Sequence, residues 1–238
     1  MLYNQQYIMY RIHNSRCSSL LIMNILTQIL DFLFPDTCHG CGTEGAILCK
    51  KCIHTIPRKN NAEYEFINPL FVYQSPLIKD LIWCLKYKNA KRIAAFFGKE
   101  LHAKLIDITS EEISFSKHEK ILLVPIPLHS RRLRERGYNQ SELLAYALKK
   151  YDVSNLCIIA PHALTRTRDT KIQARAEKRG VRFKNLANAF TCRDSSLVRG
   201  RYVILIDDVT TTGATLVEAK RALEKSGARK VLALTLAH

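Results

Sequence analysis

Asp207 and Asp208 stand side by side after the apolar run Val203-Ile204-Leu205-Ile206, and Val209-Thr210-Thr211-Thr212-Gly213-Ala214-Thr215 follows them. The apolar run predicts a buried strand, the hydroxyl-rich stretch a loop, and the residues from Thr215 onward a helix. Two carboxylates at a strand end can accept hydrogen bonds from the vicinal hydroxyls of a ribose. Loop N–H groups, threonine hydroxyls and a helix N-terminus can hold a phosphate. Gly213 leaves the backbone open to close approach. Together these thirteen residues describe a site for a sugar phosphate. The plainer alternative is a strand, a turn and a helix with a threonine cap. The coincidence of strand, acid pair and loop favours the site.

A second group with chemistry in it is Cys38-His39-Gly40-Cys41 and Cys49-Lys50-Lys51-Cys52, two paired knuckles seven residues apart. Four thiolates supply a closed tetrahedral Zn²⁺ site, and such a site is structural. Gly40 and Gly42 are expected to allow the tight turns. An iron–sulfur cluster and a redox dithiol pair are the alternatives, and paired knuckles on a short loop suit zinc better. His39 and His54 are read as bystanders, because four cysteines already complete the shell. Among single residues, His129 is either a site residue or an exposed loop residue. Lys86 is an ordinary lysine at a helix end, and Cys84, Cys157 and Cys192 are small core residues.

The elements that must hold these groups follow from periodicity and punctuation. Helices are expected at Ile25–Phe34, stopped by Pro35, at Pro76–Tyr87 with Leu77, Leu81, Ile82 and Leu85 on one face, and at Ala90–Ile106. Glu65–Tyr73 reads as a strand or hairpin. Ile121–Val124 reads as a buried strand leaving the sheet at Pro125-Ile126-Pro127. An arginine-rich loop follows, 131–138, and then a helix capped by Asn139 with Glu142 three residues on. Leu156–Ala160 is a short strand and Thr165–Lys184 a mobile excursion. Tyr202–Ile206, Thr215–Ser226 and Val231–Leu236 form the last strand, helix and strand, with Gly227 stopping the helix. Apolar strands alternating with helices imply an α/β fold, a parallel sheet covered on both faces. Ligands bind such sheets at the carboxyl ends of strands, where both the acid pair and the arginine loop fall.

The chain has 238 residues, enough for one domain and a small appendage, with 37 Lys+Arg against 21 Asp+Glu and a formal charge of +16. Between Lys117 and Arg201 there are 19 basic and 7 acidic residues, so most of the surplus lies in one segment. That suits a polyanion: pyrophosphate, nucleic acid or an acidic membrane surface. Eight cysteines without a disulfide framework fit a reducing, cytoplasmic setting. No transmembrane span is expected. Residues 1–22 are read as disordered or as a mis-assigned start before Met23, residues 23–60 as a short helix with the zinc ribbon, and 61–238 as the main domain.

The thirteen-residue run resembles the phosphoribosyl pyrophosphate (PRPP) motif of type I phosphoribosyltransferases. With the knuckles, VPIPLHSRRLRERGYNQSELLA (124–145), LTRTRDTKIQ (164–173) and RFKNLANAF (182–190), the chain from about residue 23 to 238 resembles the ComF family of competence-associated, phosphoribosyltransferase-like proteins. The resemblance implies a type I phosphoribosyltransferase fold with an N-terminal zinc ribbon, and a role in DNA uptake on the cytoplasmic side, peripheral at the inner face of the membrane. It puts ribose contacts and catalysis on Asp207 and Asp208, and PRPP binding on these with Thr210, Thr211, Thr212, Gly213, Ala214 and Thr215. It puts pyrophosphate or DNA on Arg131, Arg132, Arg134 and Arg136, and a hood on Arg166, Gln173, Arg182 and Asn185. Mg²⁺ is implied with PRPP. Purine-salvage relatives carry a base-directed aspartate where this chain has Thr211, which weakens a salvage reading. Three functions stay open. One is a transferase with an unidentified acceptor. Another is a PRPP-binding module that holds single-stranded DNA, with Tyr138, Tyr87 or Phe183 available for stacking. The third is a non-catalytic coupling factor for the competence or DNA-uptake machinery.

Overall fold

The computed structural model describes residues 35–59, 62–88, 90–110, 120–167 and 188–238. The expected helix at 25–34, the first 22 residues, Phe183 and the hood positions Gln173, Arg182 and Asn185 lie outside these. The chain divides into two compact units, Met1–Cys52 and Ile53–His238.

In the first unit the knuckles sit on a tightly folded loop. Cys38 N–H donates to the Thr43 carbonyl, Gly42 N–H to that of Cys38, and His39 N–H to that of Ile47. Gly42 turns the chain at φ +74°, which a side chain would resist. Gly40 does not take a left-handed conformation; the second such turn is at Gly45. A helical turn, α1 (Lys50–His54), carries Cys52.

The second unit is built on five parallel strands in the order β1-β7-β6-β2-β3: β1 (Ile67–Phe71), β2 (Ile121–Pro125), β3 (Cys157–Ile159), β6 (Tyr202–Val209) and β7 (Lys230–Ala237). Every residue of β2 is buried, as a strand covered on both faces requires. Pro125 still belongs to the ladder, opposite Ile206, so the chain leaves the sheet one residue later than the prolines suggest. The stretch expected as strand or hairpin is the single edge strand β1. Its Pro69 lacks an N–H, which an edge position tolerates. Outside β1 the preceding chain folds back: Arg58 bridges Phe71, Lys59 N–H donates to the Leu70 carbonyl, and Val72 N–H to that of Pro57. At the other edge, β3 is three residues long, and the Asp152 carboxylate accepts the N–H groups of Leu156 and Cys157.

Helix α2 (Pro76–Tyr87) starts at a proline, whose fixed φ suits a first turn. It buries Ile78, Leu81, Ile82, Cys84 and Leu85, so Ile78 takes the inward place expected of Leu77. Helix α3 (Ala90–Ser110) packs along α5 (Gln140–Lys149). At their contact a Cβ on Gly98 would lie 2.6 Å from the Ala147 carbonyl oxygen, so only glycine fits. Between β2 and α5 the expected arginine loop is instead a short helix, α4 (Ser130–Arg136). The His129 side chain caps its start and Gly137, at φ +80°, ends it. A two-stranded antiparallel sheet, β4 (Leu164–Arg166) with β5 (Phe190–Cys192), replaces the beginning of the expected excursion, and α6 (Ser195–Val198) follows it. Helix α7 (Ala214–Lys225) lays Leu216, Ala219, Ala222 and Leu223 against Leu122, Val124, Val203, Leu205, Val231 and Ala233 of the sheet. Gly227, at φ +91°, turns the chain after it.

Candidate functional site

The strand order sets the site. From β2 the chain steps outward to β3, whereas β6 lies on the other side of β2. The connections therefore diverge between β2 and β6, and in open α/β sheets the crevice beyond the strand ends at such a point receives ligands. Asp207 and Asp208 occupy that edge as the sixth and seventh residues of β6, within the strand rather than after it, with Asp207 opposite Thr235.

The two carboxylates are held by different elements. Asp207 Oδ1 accepts the Ser141 hydroxyl at 3.0 Å and the Asp208 N–H at 2.9 Å. Asp208 Oδ1 accepts the Val209 N–H at 2.7 Å, and its Oδ2 is 2.8 Å from the Lys86 ammonium. Asp208 is buried, and Lys86 is a quarter exposed at its side chain. Desolvation, reinforced by the Asp208 charge, pushes the Asp207 carboxyl up to about 7. The Asp208 N–H, Ser141 and Lys86 oppose this without offsetting it. Of the two neighbouring carboxylates, Asp208 is ion-paired while Asp207 is held by a hydroxyl and a backbone N–H.

Lys86 and Ser141 escape a reading by sequence. Lys86 sits in the last turn of α2, where a lysine is ordinary, and only tertiary packing turns it onto Asp208. Ser141 is the second residue of α5 and is fully buried, and the Asn139 side chain caps that helix through its N–H. The Asn139 amide also donates to the Ile126 carbonyl at 3.0 Å, tying the α5 start to the β2 exit. Tyr138 donates its hydroxyl to the Leu85 carbonyl at 2.9 Å, and burial raises its pKa. Tyr138 is thus a strut between α5 and α2 rather than an open stacking surface. Arg136 bonds Gln140, and its guanidinium lies 5.3 Å from the Tyr87 ring centre.

The loop after β6 divides in two. Thr210 is buried, and its N–H continues the sheet by donating to the Ala237 carbonyl. Beyond it, Gly213 caps α7 at φ +71° without a side chain, and a Cβ there would meet the Tyr64 ring at 2.9 Å. The first helical bond is that of Val217 N–H to the Gly213 carbonyl, so the N–H groups of Ala214, Thr215 and Leu216 have no acceptor within the helix. Arg166 lies on β4 over the Phe190 ring, at 5.6 Å. His129 serves as the α4 cap. Cys84 and Cys157 are core residues, while Cys192 is partly exposed.

In the first unit the sulfurs of Cys38, Cys41, Cys49 and Cys52 lie within 4.8 Å of one another and could hold a metal ion. Cys41 Sγ and Cys49 Sγ are 3.7 Å apart, close to the ~3.8 Å edge of a tetrahedron with metal–sulfur bonds of about 2.3 Å. The Cys49 N–H, donating to Cys38 Sγ, lowers that thiol to about 6, whereas the neighbouring thiols of Cys49 and Cys41 raise Cys52 to about 12. Four thiols this close cannot all ionise unless a cation compensates them, so the donor set fits a divalent metal.

The Phosphoribosyl transferase domain family matches residues 159–238, which include the acidic pair and the glycine loop at the carboxyl edge of the parallel sheet, and gives the domain its class. The chain belongs to the ComF family. It is 32% identical over 197 residues to DNA utilization protein YhgH of Escherichia coli (strain K12), covering 82% of this chain and 80% of that one. It is 30% identical to competence protein ComFC of Bacillus subtilis (strain 168) with 92% of each chain covered, and 29% identical to competence protein F of Haemophilus influenzae with 82% and 81% covered. Among the described residues no helix is long and apolar enough to cross a membrane.

Proposed function

We propose that the chain binds PRPP with Mg²⁺ at the carboxyl edge of β6 and works in the uptake or handling of single-stranded DNA, on the cytoplasmic side. The observation that carries the reading is the placement of Asp207 and Asp208 at the divergence between β2 and β6. In this reading the ribose diol takes the place of water at the two carboxylates, and the segment Thr210–Thr215 receives the 5′-phosphate. Of that segment, the Thr212 and Thr215 hydroxyls and the unaccepted N–H groups of the α7 start suit an anion better than Thr210, whose N–H is committed to the sheet. Arg131, Arg132, Arg134 and Arg136 contact the pyrophosphate or the DNA, and Arg166 belongs to the hood with Gln173, Arg182 and Asn185. Bound Mg²⁺ would neutralise pyrophosphate charge. The four cysteines hold a structural Zn²⁺. The DNA part of the reading is supported by the relatives, which bear the names DNA utilization protein and competence protein.

Isothermal calorimetry with PRPP and Mg²⁺ tests the nucleotide part, and saturable, Mg²⁺-dependent binding is expected. A second reading, in which PRPP is a ligand and no base is transferred, is favoured by Thr211 at the position of the salvage aspartate. A pyrophosphate-release assay with a panel of bases separates the two, because only a transferase liberates pyrophosphate from bound PRPP.

A further inference from the structure

Trp83 and Tyr87 stand one turn apart on the solvent side of α2, 46% and 62% exposed, opposite the buried row of Ile78, Leu81, Ile82 and Leu85. Their ring centres are 5.9 Å apart with the planes tilted by 48°. A cation lies over each ring: Lys88 Nζ 4.8 Å from the Trp83 centre, and the Arg136 guanidinium 5.3 Å from that of Tyr87. The result is a row, Lys88-Trp83-Tyr87-Arg136, with a cation at each end and two exposed rings between them. Its base is stiff. Tyr138 pins the Leu85 carbonyl, Arg136 bonds Gln140, and Lys86, between the two aromatics in sequence, turns inward to Asp208.

We propose that this row is a stacking track for single-stranded nucleic acid, with unpaired bases on Trp83 and Tyr87 and backbone phosphates on Lys88 and Arg136. Proteins that hold single strands without sequence preference combine exposed aromatic side chains with basic groups along the backbone path, and exposed rings and cations stand side by side here. An anionic bilayer is the competing partner for exposed tryptophan, tyrosine and cations. It is disfavoured because the exposed α2 residues one turn before Trp83, Lys79 and Asp80, are charged and one of them is acidic, so little apolar surface surrounds Trp83 for insertion. The proposal rests on the DNA part of the function above and adds its location: the strand lies beside the acid-pair crevice rather than in it, so PRPP and DNA can be bound together.

Trp83 is the only tryptophan of the chain, so its fluorescence reports the row directly. The experiment titrates the full chain with oligothymidine, reading tryptophan quenching and, with a labelled strand, anisotropy. Quenching is expected. Trp83→Ala and Tyr87→Ala should each weaken the labelled strand by about tenfold or more, while Trp83→Phe keeps most of the affinity because any π-face can stack. Melting temperature and PRPP binding should not change in these variants. Wild-type affinity for the oligonucleotide in both alanine variants would overturn the track and leave DNA binding elsewhere on the protein intact. No oligonucleotide binding by the wild type would overturn the track together with the DNA part of the function, while PRPP binding is judged by its own calorimetry. A blue shift on phosphatidylglycerol vesicles, with tighter binding there than to oligothymidine, would overturn the proposal in favour of a membrane surface.

Discussion

Lys86 Nζ lies 2.8 Å from Asp208 Oδ2, while the adjacent Asp207 is hydrogen-bonded to a neutral hydroxyl, that of Ser141. Neighbours in sequence thus meet opposite electrostatic fates, one paired with a cation from α2 and the other held by neutral donors. This asymmetry suits a site that waits for cationic or hydroxyl partners from a ligand.

Replacing both carboxylates, Asp207→Asn with Asp208→Asn, is expected to abolish most PRPP binding, since the ribose diol loses its anionic acceptors. Calorimetry in the presence of Mg²⁺ checks this. Unchanged affinity would remove the diol assignment.

The raised Asp207 pKa gives a pH signature. A carboxyl whose folded pKa is about 7, against about 3.9 unfolded, holds its proton more tightly in the native state. Its contribution to stability is therefore greatest below about pH 4, declines as the pH rises toward 7, and is level beyond that. Urea midpoints from pH 5 to 8 should fall more steeply for the wild type than for Asp207→Asn. Because a ribose diol donates to the ionised form, PRPP binding near pH 6 should release protons. Calorimetry in buffers of different ionisation enthalpy measures that release.

Lys86→Met leaves the buried Asp208 carboxylate without its cation and should cost about 1–3 kcal/mol of stability. Lys86→Met combined with Asp208→Asn should cost less than the two single changes added, because the pair interacts directly. Additive losses in denaturation would show that the ion pair carries no coupling.

Gly98→Ala places a methyl group against the Ala147 carbonyl, and this backbone cannot yield as a side chain would. A loss of about 1–3 kcal/mol is expected from the forced separation of α3 and α5, readable as a lowered melting temperature.

Metal analysis should find about one equivalent of zinc per chain, held by four thiolates. Cys49→Ser should lower that content. Removing the metal with a chelator should expose four additional titratable thiols. A disulfide between any two of the four would contradict a metal site.

Much of the fold is legible in the residues alone, and the exceptions have physical causes. Helix α2 spans the residues expected of it, because Pro76 fixes its start, although its buried row runs through Ile78 in place of Leu77. The buried strands are legible because parallel strands covered on both faces leave continuous apolar runs. Helix α4 was not, since a run of arginines has no apolar period. It forms because His129 caps one end and Gly137 closes the other. The acid pair announces itself by type and spacing. Lys86 and Ser141 do not, because their meaning is created by the packing of α2 and α5 and lies at sequence distances no local pattern spans.

The two margins of the sheet carry a last consequence. Pro69 and the returning segment 57–59 screen β1, and β3 is only three residues long. Among the described residues, neither margin of the five-stranded sheet presents a long run of free amides and carbonyls on which a foreign strand could zip. Self-assembly through continuous intermolecular sheet is thereby discouraged. A partner that approaches the five-stranded sheet at its margins meets mostly side chains there, so charge and shape rather than backbone pairing govern its recognition at those margins.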